Sequence, residues 1–397
     1  MTVDVRPVSP DRDLDTLIRL PWRLYADDPA WVPPLLMDRR QSLDPKHPFF
    51  REVDWQGFLA WRGEQCVGRI SAQIDRRYEA LGVEGLGLFG MLDADDDAEV
   101  HAALLAAAEA WLAERGCTRV EGPFNLGVNQ ELGQLVEGFE TPPFFMMAHG
   151  LRWTPGYLDA AGYEKATDLL AYQVYSQFDR PAAMVRVVER VSNRMKLRTL
   201  DRARAEDEFR TMCSIFNDAW SNNWRFVPFG EDEMITIGKE MLMVIDADQI
   251  QIAEVDGEPA AFCVLLPNIN EAIADLNGRL APFGWAKLLW RLKVRYPSTA
   301  RVPLMGVRRD FQTGRLGAAL AFSVIDGVRT ACGRRGIGQV ELSWILEDNL
   351  PMRHMLEAIG AVVTKRYRMY GRDLPALLSR PPMSSPSFDA RLTSSPK

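Results

Sequence analysis

Three arginines, Arg308, Arg309 and Arg315, surround one glycine-bearing turn in RRDFQTGRLGAAL (308–320), in a chain whose 54 acidic residues outnumber its 47 lysines and arginines. Leu316, Ala319, Leu320 and Val324 recur at helical spacing after the turn, and VPLMGV (302–307) before it reads as a short buried strand. A helix start presents unpaired N–H groups and the positive end of its dipole. Strand, basic turn and helix therefore make a site suited to a phosphate or pyrophosphate. The same residues equally describe a solvated turn with incidental charge. No metal pattern accompanies them: His47, His101, His149 and His354 are scattered, and no H-E-x-x-H occurs.

The elements that position this turn belong to a chain of 397 residues, 47% of them hydrophobic, which is long and apolar enough for two or three ordinary cores. Cys66, Cys117, Cys213, Cys263 and Cys332 form no C-x-x-C pair and are expected as buried thiols in a reducing compartment. MTVDVRPVSPDRDLD at the N-terminus lacks the apolar core of a signal peptide, and no uninterrupted apolar run reaches bilayer length. A cytoplasmic protein is expected. The acid excess and the lack of any nucleic-acid motif argue against a nucleic-acid partner. The residues from Arg380 onward, RPPMSSPSFDARLTSSPK, are rich in Pro and Ser, and a disordered tail is expected over 376–397.

An internal repeat organises the rest. ERGCTRVEG (114–122) resembles RRGIGQVEL (334–342), pairing Glu121 with Glu341 at an offset of 220, and Asn129 pairs with Asn349 at the same offset. LFGML from Leu88 lies against LMGVR from Leu304 at an offset of 216, and the difference of four predicts about one extra helical turn in the second copy. Each copy reads as a hairpin (turning at Arg62-Gly63-Glu64 and at Asp256-Gly257), a strand, a long helix, a strand carrying the paired Glu, and a shorter helix. That is an α/β (α+β) architecture of two tandem units, each a mixed, mostly antiparallel sheet flanked by helices, spanning 1–175 and 176–375. The copies differ at the turn: Asp93, Asp95, Asp96 and Asp97 stand in the first where the arginines stand in the second. Carboxylates cap a helix well and repel phosphate, so only the second copy is expected to bind an anion.

With Gln312-Thr313-Gly314-Arg315-Leu316-Gly317 as the loop and the Asn349-led ILEDNLPMRHMLEAIGA as the following helix, the chain resembles the GNAT acyltransferases, whose loop cradles the pyrophosphate of coenzyme A. Arg315 replaces the usual middle glycine, and Leu356 stands where many members place a tyrosine that protonates the departing thiolate. GPFNLGVNQELGQLVEGFETPPFFMM, NDAWSNNWRFVP, LPNIN, ELSWILEDN and YRMYGRDL together resemble a bacterial tandem-GNAT family that includes the bacterial ceramide synthases. The resemblance implies transfer of a long-chain acyl group from acyl-CoA, a co-substrate with no permanently bound cofactor, to the amine of a sphingoid base in its 3-oxo form.

It also implies roles. Arg308, Arg309, Gln312, Thr313, Gly314, Arg315, Leu316 and Gly317, together with Asn349, would hold acyl-CoA, and a backbone N–H near Gly306 or Val307 would stabilise the oxyanion. Glu347, at the mouth of ELSWIL, is favoured as general base over Glu341, which lies deeper on that strand; a plain helix N-terminal charge is the alternative for Glu347. Tyr367 or Tyr370 would replace the missing acid, and His354 could relay a proton or simply sit on the surface. Asn125, Asn129, Glu131, His149, Trp220, Trp224, Glu341 and Trp344 are assigned to the substrate, against the commoner fate of such residues as caps or core. FGWAKLLWRLKVRYP (283–297) suits an anionic lipid interface, with peripheral contact at the inner membrane, although such a helix more commonly packs on a core. Two other readings stay open: an acetyltransferase of a small amine, and a non-catalytic CoA- or lipid-binding protein.

Overall fold

The computed structural model describes residues 2–375, so the expected tail at 376–397 lies outside the described residues. The strands are β1 (Asp4–Pro7), β2 (Val53–Arg62), β3 (Gln65–Asp75), β4 (Leu86–Ala94), β5 (Arg119–Gly122), β6 (Phe124–Asn125), β7 (Glu131–Leu132), β8 (Gln134–Glu137), β9 (Glu164–Tyr175), β10 (Met195–Thr199), β11 (Ile250–Val255), β12 (Glu258–Pro267), β13 (Thr299–Val307), β14 (Gln339–Leu346) and β15 (Val362–Asp373). Five helices bear on the site: α1 (Ala98–Ala113), α2 (Ala205–Trp220), α3 (Gly284–Lys293), α4 (Gly314–Arg335) and α5 (Leu350–Ala358).

Thirteen strands form one mixed sheet in the order β1-β2-β3-β4-β5-β15-β9-β14-β13-β12-β11-β10, with β8 also on β15, while β6 and β7 pair separately. The second half repeats the first: hairpin β2–β3 matches β11–β12, β4 matches β13, α1 matches α4, and β5 matches β14. Within each half the helix-bearing crossover makes the only parallel pairs among the described strands, β4 with β5 and β13 with β14. The arginine turn and the aspartate turn lead into α4 and α1, as expected, and Asp97 caps α1 by accepting from Glu99 N at 2.9 Å. Helix α4 runs 22 residues against 16 for α1, and it buries Leu320, Val324 and Val328 in the core of the second half. By length and composition α4 could cross a membrane, but most of it is buried in the protein core.

The final strand of each half crosses to the other. β9 ends at Tyr175, the expected division point, yet it pairs with β14 of the second half, and β15 pairs with β5 of the first. β9 and β15 also pair with each other, from Val362 opposite Gln173 to Gly371 opposite Glu164, so the halves share one continuous sheet. Asp168 clasps the exchanged strands: its carboxylate accepts from Arg368 Nε at 2.8 Å and Nη2 at 3.1 Å, and from Arg366 Nη1 at 3.2 Å. Helix α3 departs from expectation in the other direction, because none of its side chains is buried.

Burial alone would raise the Asp168 carboxyl, but Arg368, helped by Lys165 and Arg366, holds it below the usual carboxylate range. Its stabilisation is therefore complete above about pH 4 and fades as the pH falls through the lowered folded-state value. Asp168→Asn, which leaves two arginines facing an amide, should lose on the order of 3 kcal/mol at neutral pH in urea unfolding. The deficit should narrow as the pH falls below about 4, and an undiminished deficit in strong acid would contradict the assignment.

Candidate active site

β13 and β14 pair only from Thr299–Gln339 to Val302–Leu342, and then both run on without each other, to Val307 and Leu346. A gap therefore opens beyond Val302 and Leu342, one residue past the opposed pair Arg301 and Glu341. The Glu341 side chain is fully buried; Oε1 accepts from Ser343 Oγ at 2.6 Å and lies 3.9 Å from Arg301 Nε, while Oε2 has no hydrogen-bond partner among the described residues. Arg301 is otherwise satisfied, donating to Ser343 Oγ at 2.8 Å and Phe145 O at 2.9 Å. Burial pushes the Glu341 carboxyl above the usual carboxylate range despite Arg301. The hydroxyl of buried Tyr367, in the field of Glu341 and Arg301, is also unpartnered, and burial keeps it protonated. Lys365 donates to the carbonyls of Gly138 and Thr141 and anchors the segment that covers this cluster.

The opposite wall of the gap carries backbone donors. Arg308 N donates to Ala260 O, and the alternation of an antiparallel pair then turns the Gly306 N–H toward β12, and those of Met305 and Val307 toward the gap. Val307, and not Gly306, is thus the residue whose N–H can serve an acyl donor, with Met305 beside it. Their carbonyls are taken by Gln312 Nε2 at 2.9 Å and Trp220 Nε1 at 2.8 Å. Trp220 meets Trp344 edge-on at 5.6 Å and gives the gap an aromatic lining. At the far end α4 begins at Gly314, with φ +81°, and Thr313, Gly314 and Arg315 are exposed at its N-terminus. Leu316 is half-buried against the core, and a Cβ on Gly317 would sit 2.2 Å from Phe311 O, so the turn closes only on glycine there.

Other expected site residues have different work. Glu347 is ion-paired to Lys165 at 2.9 Å and accepts from Asp168 N at 3.1 Å, holding the end of β14 to β9. Asn349 caps α5 through Met352 N, and His354 is exposed on that helix. Tyr370 is buried in the core of the first half. Arg308 turns back to Pro259 O and Ser214 Oγ, and Arg309 is held by Asp218 through both its N–H, at 2.7 Å, and its side chain. Glu131 pairs with Arg39, His149 Nε2 is 2.8 Å from Asp28 Oδ2, Trp224 stacks near Phe124, and Asn129 stays half-buried on the loop between β6 and β7. Arg301, Ser343, Lys365 and Asp218 escaped the sequence reading; a lone arginine inside the apolar TARVPLMGV was the available signal for the first.

The first half shows the same parting of strands, filled. β4 and β5 pair over Leu86–Leu88, after which Asn125 Oδ1 accepts from Met91 N at 2.8 Å, and a Cβ on Gly90 would fall 1.8 Å from Phe124 O. Glu121, the counterpart of Glu341, is engaged by Arg225 at 2.7 and 2.8 Å and by Arg119 at 2.8 Å. These arginines overcome burial and hold its carboxyl below the usual range. One copy has an open gap and an underused carboxylate; the other has neither.

No family model matches the chain. It is 46% identical to a bacterial ceramide synthase of Caulobacter vibrioides, over 94% of this chain and 98% of that one. It is also 46% identical to Protein YghO of Escherichia coli, over 93% of this chain and 95% of that protein. Among solved structures, a tandem GNAT protein from the clavulanic acid biosynthesis pathway superposes with a TM-score of 0.54 at 13% identity, covering 94% of this chain and 99% of that one. A GCN5-related N-acetyltransferase from Sphaerobacter thermophilus gives 0.51 at 13% identity, covering 94% and 97%. With the fold, the duplicated strands and these relatives together, the chain belongs to the bacterial ceramide synthase-like family of tandem GNAT acyltransferases, and it is an N-acyltransferase.

Proposed function

We propose that the second half transfers a long-chain acyl group from acyl-CoA to the amine of a sphingoid base, the 3-oxo form being the expected acceptor. The observation that carries this reading is the unpaired, buried Oε2 of Glu341 at the root of an open, tryptophan-lined gap, set against the filled gap and fully paired Glu121 of the first half. The ceramide synthase relative supports the choice of a lipid amine. The exposed start of α4, with Arg315, is the place for the pyrophosphate. The amide-bearing arm of CoA would then run along the free edge of β13, and the N–H groups of Met305 and Val307 would hold the arm and polarise the thioester carbonyl.

The acceptor loses one proton to solvent on becoming a neutral amine. Its lone pair attacks the thioester carbon, Glu341 takes the second proton as the C–N bond forms, and the C–S bond breaks. Glu341, whose raised affinity for a proton suits the exchange, passes that proton to the departing thiolate. Tyr367 keeps its own proton and donates a hydrogen bond from the same cluster, so the protonation that Leu356 cannot supply falls to Glu341.

Purified enzyme with palmitoyl-CoA and 3-oxosphinganine should release free thiol together with an amide product of matching mass. Release only with acetyl-CoA and a small amine would replace the lipid reading by an acetyltransferase, and CoA binding without release would make the protein a binder. In calorimetry, Arg315→Ala should raise the Kd for CoA about tenfold by removing a charge-assisted contact to phosphate. An unchanged Kd would place the pyrophosphate elsewhere.

A further inference from the structure

Five of the thirteen exposed large hydrophobic side chains among the described residues, Phe283, Trp285, Leu289, Trp290 and Val294, fall within twelve consecutive residues on and beside α3. Trp285, Leu289 and Lys293 follow one another along a single stripe of that helix. Between Leu276 and Pro297 the sequence holds five cations and no acid, in a chain where acids outnumber cations. Lys287 and Arg291 close on Asp275, with Arg291 Nη1 at 2.6 Å, and so pin the helix to the body of the protein. Arg279, Lys293 and Arg295 are exposed and make no side-chain ion pair among the described residues.

We infer that α3 and its flanks dock on an anionic lipid bilayer, with Phe283, Trp285 and Leu289 entering the headgroup region and Lys293 and Arg295 meeting lipid phosphates. Tryptophan beside leucine and cations is the composition of an interfacial helix, and the acidic remainder of the chain, repelled by such a surface, orients the molecule. The position of α3 gives the contact a purpose that rests on the function proposed above. The helix precedes the start of β13 and the CoA loop follows its end, about 30 Å apart along the strand. The segment after β12, to which Arg291 pins α3 through Ala272 O, is joined to the Glu341 cluster by hydrogen bonds: Asn270 donates to Pro143 O at 2.9 Å, Phe145 N to Asn268 Oδ1 at 3.1 Å, and Arg301 to Phe145 O at 2.9 Å. The lipid-facing helix and the CoA loop thus stand at opposite ends of the strand that borders Glu341.

Flotation of the full chain with phosphatidylglycerol vesicles, compared with phosphatidylcholine vesicles, tests this directly. The protein should float with the anionic vesicles and partition about tenfold less with the neutral ones. Trp285→Ser with Leu289→Ser should cut binding about tenfold. Lys293→Glu with Arg295→Glu should remove the preference for anionic lipid. Both variants should keep the wild-type melting temperature and wild-type turnover on detergent-dispersed acceptor. Failure of the wild type to float with anionic vesicles would overturn the inference, and so would a dimer in light scattering that Trp285→Ser with Leu289→Ser dissolves, since a second copy would then cover this face. Flotation is read without turnover, so the surface and the acyl transfer can each fail alone.

Discussion

A carboxylate buried with one oxygen unpaired is expensive, and the structure holds one at Glu341, where β13 and β14 part. Ser343 and Arg301 satisfy part of the cluster, and burial holds the Glu341 carboxyl ready to accept a proton. The fold had a ready remedy. In the first half the matching Glu121 is gripped by two arginines and its gap is closed by Phe124 and Asn125. That the second half lacks the remedy, in a protein whose acyl chemistry follows from its family, is the ground on which we propose Glu341 as the reacting base.

The filled half is more than a remnant. Because β15 leaves the second half to pair with β5, and β9 leaves the first to pair with β14, each half completes its sheet with the other's last strand. Tyr367 reaches the Glu341 cluster from β15, and the covering segment held by Lys365 comes from the first half. Removing residues 1–163 would strip β15 of its β5 partner and uncover the carboxylate. The first half thus encloses the Glu341 cluster of the second, whatever becomes of its own gap.

Much of this was legible in the sequence. The duplicated VEG and VEL segments, the two hairpin turns and the contrast between LDADDD and RRDFQTGR gave the element order and the polarity of the two copies, since each is a local pattern. The choice between Glu347, favoured from the sequence, and Glu341, proposed from the structure, turns on contacts the sequence does not show. Glu347 and Glu341 lie six residues apart on one strand and its mouth, and their fates depend on Lys165 and Arg301, partners 182 and 40 residues away in the chain. Asn125 was likewise invisible as the plug of the first gap, because its partner Met91 lies across the sheet. The strand exchange left no trace, since β9 and β15 carry the same apolar alternation whichever half they join. Helix α3 fits both a lipid interface and a core helix in sequence, and only the finished surface shows that none of its side chains is buried among the described residues.

The most direct test of the account is turnover with acyl-CoA and a long-chain amine in Glu341→Gln and Glu347→Gln, alongside the affinity of each for CoA. The account predicts that Glu341→Gln loses at least about a hundredfold in kcat with CoA affinity intact, while Glu347→Gln keeps turnover within severalfold. Full turnover in Glu341→Gln, with Glu347→Gln silent at unchanged stability, would contradict it.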